Sequence, residues 1–195
     1  MSAETHTLRN VFFCIWEDAA RKGRQMGRPA TKLSIVRSFM SINVIAVAIF
    51  RLSIYFCAKG LWLPSMFCYY VNIIAFGIDG SPYSEIGPGL VVVHLVGNVL
   101  HAKIGRNCTL FGRNGIGGKG KGNTGGWRGG PVVGDHVTLG FGACIITDQP
   151  IGDHAMIGAG SWCFKGVPER AIVGGLPAEL LRFKTGEEVQ AEIDS

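Results

Sequence analysis

The sequence predicts a mainly β fold, a parallel β-helix of about four coils preceded by an α-helical region, and three observations carry that reading. First, an aliphatic residue recurs every six positions: Ile86, Val92, Ile104, Leu110 and Ile116, then again Val133, Leu139, Ile145, Ile151 and Ile157. Second, a small or medium side chain follows four positions after a slot, at Ala102, Cys108, Val137, Ala143, Ala155 and Ser161. Third, Gly134, Gly140, Gly152 and Gly158 directly follow the aliphatic residue. A six-residue period is neither the 3.6 of a helix nor the 2 of a strand. It suits short flat sides joined by bends, three to a coil, with the aliphatic residue on the axis and glycine where a side chain would clash. Asn98 reads as the one defective slot in the first run.

The elements follow in order. Residues 1–78 form an α-helical, partly apolar region. Its first helix is expected over "LRNVFFCIWEDAARKGRQ", and "GRPATK" breaks it from the next. Arg21, Lys22, Arg24, Arg28, Lys32 and Arg37 make a basic cluster. Two apolar blocks follow, one interrupted by Arg51 and one by Pro64, so neither has the 18 or so uninterrupted apolar residues of a spanning helix. A helical hairpin packed on the rest of the chain is expected. The alternative is a helix pair lying on the cytoplasmic face of a membrane, with the basic cluster on anionic lipid. Residues 79–183 hold the β-helix. The repeat lapses in "GGKGKGNTGGWRGGP", which predicts a loop extruded over 117–131. Residues 184–195 read as a polar tail.

The chain has 195 residues, 47% hydrophobic and 17% charged, enough for one domain with an appendage and far from disorder. Its 29 glycines lack the every-third-residue period of collagen. A net charge of +5 suits a polyanionic ligand or surface. Without zinc-finger spacing, an RNP pattern or a recognition helix, no nucleic-acid partner is expected. Cys14, Cys57, Cys68, Cys108, Cys144 and Cys163 form no C-x-x-C pair and sit mostly in apolar contexts, which fits reduced thiols. No signal peptide is read at the start, so the expected location is cytoplasmic, with peripheral contact to the inner membrane as the variant.

The stretches "FRLS" with Arg51, "IDGSPYSEIGPGLVVVH", "AKIGRNCTL", "IGAGSW" and "VPERAIVGGLPAELL" resemble the serine acetyltransferase-like group of hexapeptide-repeat acyltransferases. The closest look is to its polysaccharide-cluster members, such as colanic-acid biosynthesis acetyltransferases. The resemblance implies a left-handed β-helix, a homotrimer with active sites between neighbouring subunits, and acetyl-CoA as donor. It places His94 on the catalytic histidine position, Asp79 fifteen residues earlier on the aspartate that pairs with it, and the Gly118 amide on the thioester oxygen. It also implies acetyl-CoA contacts at Gly117, Gly142, Ala143, Gly158 and Ala159, with Lys165, Arg170 and Arg182 near the CoA phosphates.

The residues themselves support part of that assignment. His94 stands in the aliphatic run "GLVVVHLVG", although a lone histidine there is more often a satisfied structural residue. Acetyl transfer to an alcohol needs a base, a group to orient it and donors for the oxyanion. Asp79 is also plausible as a plain turn residue in "IDGSP". Lys119, Lys121 and Arg128 add positive charge to the loop and are read as substrate-binding, but "GGKGKGN" lacks the Walker spacing. His101, His136 and His154 raise a zinc reading. His136 and His154 are one coil of 18 residues apart and should stack on one edge, each in a "GDH" bend, and no metal is expected.

Relative to serine acetyltransferases, Val93 replaces an Asp before the catalytic histidine and Gly129 replaces a His after Arg128. Two contacts to a zwitterion are thereby missing, which favours a carbohydrate hydroxyl as acceptor, with surface polysaccharide biosynthesis as the expected setting. The rival expectations are serine O-acetyltransfer in cysteine biosynthesis and a catalytically silent β-helix scaffold.

Overall fold

The computed structural model describes residues 7–29, 31–118 and 130–194. Helix α1 (Leu8–Gln25) starts where the Thr7 hydroxyl accepts from the Asn10 amide, and it ends before the predicted "GRPATK" break. Helix α2 (Lys32–Ser38) is capped in the same way by Thr31. The two apolar blocks form α3 (Ile42–Ala58) and α4 (Trp62–Val71), the latter running into a π-helical turn at Asn72–Phe76. Pro64 falls in the first turn of α4, where its missing N–H costs no hydrogen bond. Gly77 stops the π turn at φ 67°, and a Cβ there would come within 3.2 Å of the Leu95 carbonyl.

A parallel β-helix follows. Strands β1 (Ile78–Gly80), β2 (Glu85–Ile86) and β3 (Val91–Val92) make its first circuit, and β4 (Asn98–Leu100), β5 (Lys103–Ile104) and β6 (Thr109–Leu110) the next. Then come β7 (Gly115–Gly117), β8 (Val132–Val133) and β9 (Thr138–Leu139), with residues 119–129 of the predicted loop, including Lys119, Lys121, Arg128 and Gly129, outside the described residues. Strands β10 (Cys144–Ile146), β11 (Met156–Ile157) and β12 (Trp162–Cys163) continue the winding, with Ile151 and Val167 bridging on the β8 side. Strand β13 (Ala171–Gly175) pairs antiparallel with β14 (Ala178–Phe183) and closes that end. Three rows result: β1-β4-β7-β10-β12, β2-β5-β8, and β3-β6-β9-β11-β13.

The six-residue rows lie where the period puts them. Val92, Ile104, Leu110, Ile116, Val133, Leu139, Ile145, Ile151 and Ile157 are all buried, and so are all six of the intervening small residues. Their stacking makes one continuous apolar core. Asn98 corrects the sequence reading. The inward slot of β4 belongs to Leu100, which pairs with Ile116, two residues later than the count predicts. Val91 pairs with Thr109, 18 residues on, whereas Val99 pairs with Gly115, only 16 on. The corner between β3 and β4 is therefore two residues longer than the corner below it, and the connection from β4 to β5 is correspondingly shorter.

The helical layer is fastened to the β-helix by buried polar contacts. Arg51 pairs with Asp18 at 2.6 Å and donates to the Ile86 and Gly87 carbonyls, while Asp18 accepts from the Leu90 amide. Arg21 donates to the carbonyls of Gly89 and Cys108 and to the Thr109 hydroxyl. Arg51, read in the sequence as an interruption of an apolar block, is thus an anchor. The C-terminal segment read as a polar tail is helical, α5 (Gly186–Asp194), because its acidic side chains find partners: Glu188 with Arg182, and Glu192 with Lys184 and His154.

Candidate active site

His94 sits on the extended corner between β3 and β4 and is exposed. The corner is held from beneath by fully buried Asn98, whose amide donates to the His94 carbonyl at 3.0 Å and the Leu95 carbonyl at 3.1 Å. Asn98 accepts in turn from the backbone N–H of Asn114, itself fully buried. The Asn114 side chain accepts from the Gly112 amide and donates to the carbonyls of Gly140 and Ala143. These two asparagines tie three successive corners together. Gly112, at φ 119°, lets the next corner pass close under the histidine: a Cβ there would come within 2.8 Å of His94 Cβ. The Phe141 ring stands edge-on to the imidazole, centroids 6.2 Å apart.

Gly142 donates to the Gly112 carbonyl and Gly160 to the Phe141 carbonyl, so these corners stack along one edge with His94. Gly142, Gly158 and Ala159, named from the sequence as acetyl-CoA contacts, fall on this edge. Ala143 does so only by its backbone, since its side chain fills the core.

The opposite edge of the same sheet carries a second group. Leu100 pairs with Ile116, so His101 stands beside Gly117, and the His101 amide donates to the Ile116 carbonyl at 2.9 Å. Gly118 is next in the chain, and Lys165 follows β12 at the same side. Asp79, on the outer face of β1, accepts from the Tyr69 hydroxyl at 2.9 Å and lies 3.4 Å from His101 Nε2. Burial, and then the Asp79 carboxylate, push the Tyr69 hydroxyl up to about 12, so it remains a donor at neutral pH. No hydrogen bond joins Asp79 to His94. The expected dyad would need the carboxylate to leave His101, and both groups are about half exposed, at 40% and 43%, where such a contact is a weak constraint.

One chain therefore separates His94 from Gly118 by the length of β4, roughly 10 Å. Tyr69, Asn98, Asn114 and Phe141 were not picked out as site residues in the sequence, and His101 was weighed only for zinc. For Phe141 a signal was there: the register carries position 94 onto 112 and then 141.

Arg182 is engaged by Glu188 in a bidentate pair at 2.6 and 2.7 Å, and Arg170 lies 3.8 Å from Glu169; both arginines are exposed. The histidines considered for zinc do not converge. His136 and His154 stack as expected, centroids 4.7 Å apart, on an edge away from His101. Among the described residues no three His, Cys, Asp or Glu side chains are grouped to hold a metal ion. A cleft of about 590 Å³ between α1, α3 and the β2–β5 row, lined by Cys14, Arg51, Tyr55, Glu85 and Lys103, contains none of the predicted site residues.

No family model matches the chain. Curated proteins do. Serine acetyltransferase 3, mitochondrial, of Arabidopsis thaliana is 37% identical over 121 residues, 61% of this chain and 30% of that protein. The serine acetyltransferase of Mycobacterium tuberculosis is 31% identical over 155 residues, 78% of this chain and 66% of the relative. These similarities to serine acetyltransferases support a hexapeptide-repeat acyltransferase. The crystal structure of Neisseria gonorrhoeae serine acetyltransferase superimposes with a TM-score of 0.77 at 27% identity, over 92% of this chain and 69% of that one. The chain spans about a third of the length of the Arabidopsis thaliana relatives it matches.

These similarities overturn the carbohydrate acceptor expected from Val93 and Gly129. The matched proteins named here are serine acetyltransferases. Missing two contacts argues against one way of holding an amino acid, not against an amino acid as the acceptor. Gly129 moreover lies outside the described residues.

Proposed function

We propose that the protein is an acetyl-CoA-dependent serine O-acetyltransferase. The observation that carries this is the similarity to serine acetyltransferases over 78% of the chain, and an exposed histidine, at the position the resemblance assigns to the catalytic one, built onto a reinforced corner supports it. In this reading His94 takes the proton from the serine hydroxyl as its oxygen attacks the thioester carbonyl carbon. The tetrahedral oxyanion is met by the Gly118 N–H, then collapses, and the C–S bond breaks. The departing CoA thiolate takes back the proton held on His94.

Because His94 and Gly118 lie on opposite edges of one sheet, the pair is completed by a neighbouring copy of the chain. A homotrimer of left-handed β-helices with sites between subunits, as the resemblance implies, would supply that geometry. The edge bearing Gly142, Gly158 and Ala159 would then carry the acetyl-CoA of the site that uses its own His94. Lys119, Lys121 and Arg128 remain candidates for the acceptor carboxylate.

The test is release of CoA thiol from acetyl-CoA with L-serine, for the full chain and for His94→Ala. Serine-dependent release that falls by about 10²–10⁴-fold in the variant supports the proposal. Absence of serine-dependent release, or near-normal turnover by the variant, overturns it.

A further inference from the structure

Helix α4 is turned inside out relative to the helices of a water-soluble layer. Its contacts with α3 are made by small and polar groups: Ser65 and Ser53 exchange hydroxyl-to-carbonyl hydrogen bonds at 2.9 and 3.0 Å, and Asn72 donates to the Ala46 carbonyl. Ser65 is the one α4 residue between Trp62 and Val71 that is fully buried. The large apolar side chains point the other way. Leu63, Phe67, Tyr70 and Ile74 fall at i, i+4, i+7 and i+11, and they are 73%, 71%, 56% and 83% exposed. In water this face should carry the polar residues.

The charges of the same region are of one sign. From residue 19 to residue 78 the chain has eight Lys or Arg and no Asp or Glu. Arg21 and Arg51 are consumed by the β-helix, while Lys32, Arg37 and Lys59 are exposed. Two occupants of such a face differ in chemistry. A second copy of this face would bring cation to cation with no carboxylate in the segment to pair with them, which interfaces avoid. An anionic lipid surface supplies both the apolar phase for the α4 stripe and the negative charge for the exposed cations of the helical layer. No single described helix is long and apolar enough to cross a bilayer, which suits a helix lying in its plane.

We infer that the helical layer docks on a membrane surface rich in anionic lipid, with Leu63, Phe67 and Tyr70 of α4 and Ile74 of the π turn in the acyl boundary and the exposed Lys59, Lys32 and Arg37 drawn to the headgroups. This inference is independent of the acceptor proposed above. The experiment is co-sedimentation of the full chain with phosphatidylcholine vesicles and with vesicles containing phosphatidylglycerol. The Leu63→Glu/Phe67→Glu variant runs alongside, and size-exclusion chromatography of both proteins is done without lipid. Circular dichroism melts show that the variant folds, since both side chains are exposed. The expected result is binding to the anionic vesicles, at least roughly tenfold weaker on phosphatidylcholine and in high salt, and lost in the variant. Equal binding to both vesicle types overturns the charge argument. No binding, with a concentration-dependent assembly that the variant abolishes, overturns the proposal in favour of a second copy.

Discussion

The β-helix and the helical layer are held by opposite means. Inside the β-helix, residues of one kind repeat, and each circuit buries the same aliphatic row as the last. No single residue is decisive, because the stabilisation is spread over the stack. The helical layer packs partly through small groups and exposes much of its large apolar surface, yet a few buried polar residues fix it to the β-helix. Arg51, Asp18 and Arg21 reach the backbone at Ile86, Gly87, Gly89, Leu90 and Cys108, beside Asn43 at the Val92 and Val93 carbonyls and the Ala46, Val47 and Phe50 side chains in the shared core. A repetitive core tolerates local change. An attachment by a handful of desolvated charges does not.

The largest effect should therefore come from the anchor. Arg51→Met leaves Asp18 charged, buried and without its partner, and leaves the Ile86 and Gly87 carbonyls unpaired; a loss of about 3–5 kcal/mol is expected. Denaturant unfolding measures it. Adding Asp18→Leu should recover only part of the loss, because the Leu90 amide and both carbonyls stay unpaired. Full recovery in the double variant would mean that the charge pair, and not the attachment to the backbone, was the whole effect.

The comparison also separates what was legible in the sequence from what was not. The aliphatic row could be counted because burial on the axis of a coil imposes a strict period. The count failed at Asn98 because two residues are added at the His94 corner and two are removed after β4. The period is back in step at Ile104, so compensating shifts look like one bad slot. His94 was legible from its odd place in an aliphatic run and from the resemblance. The Asp79 contacts were not, since Tyr69 arrives from α4 across a π turn and His101 comes from the shortened connection. Neither placement leaves a spacing to read.

A smaller effect on stability, but a telling one on function, is expected at the shifted corner. Asn98→Leu keeps the branching and heavy-atom count while freeing the His94 and Leu95 carbonyls and the Asn114 amide, at a cost of about 1–3 kcal/mol. If Asn98 positions His94, serine-dependent kcat should fall several-fold while KM for acetyl-CoA stays near the native value. Ala102→Gly, a core change at the far end of the short connection, is the control: it should lower stability without that split. Equal kcat in native and Asn98→Leu protein would reduce Asn98 to a packing residue.

The smallest effect belongs to α5, where the attachment is exposed. The Arg182 hydrogen bonds, and then the Thr185 amide, hold the Glu188 carboxyl down at about 2. A carboxyl depressed in the folded state stabilises fully above its unfolded value of about 4.3, and that contribution is lost as pH falls through about 2. Glu188→Gln should therefore speed amide exchange across Gly186–Asp194 at pH 6 and make much less difference near pH 2, where the native carboxyl is itself protonating and losing the bond. The change at pH 6 should be slight, because Glu192 still holds α5 to Lys184 and His154. Solvent screens the exposed pair, whereas Lys184 is only 4% exposed, so the second contact carries more of the docking. Exchange equally fast in both proteins at pH 6 would show that Arg182 and Glu188 meet without stabilising the helix, which would leave Glu192 as the grip that matters.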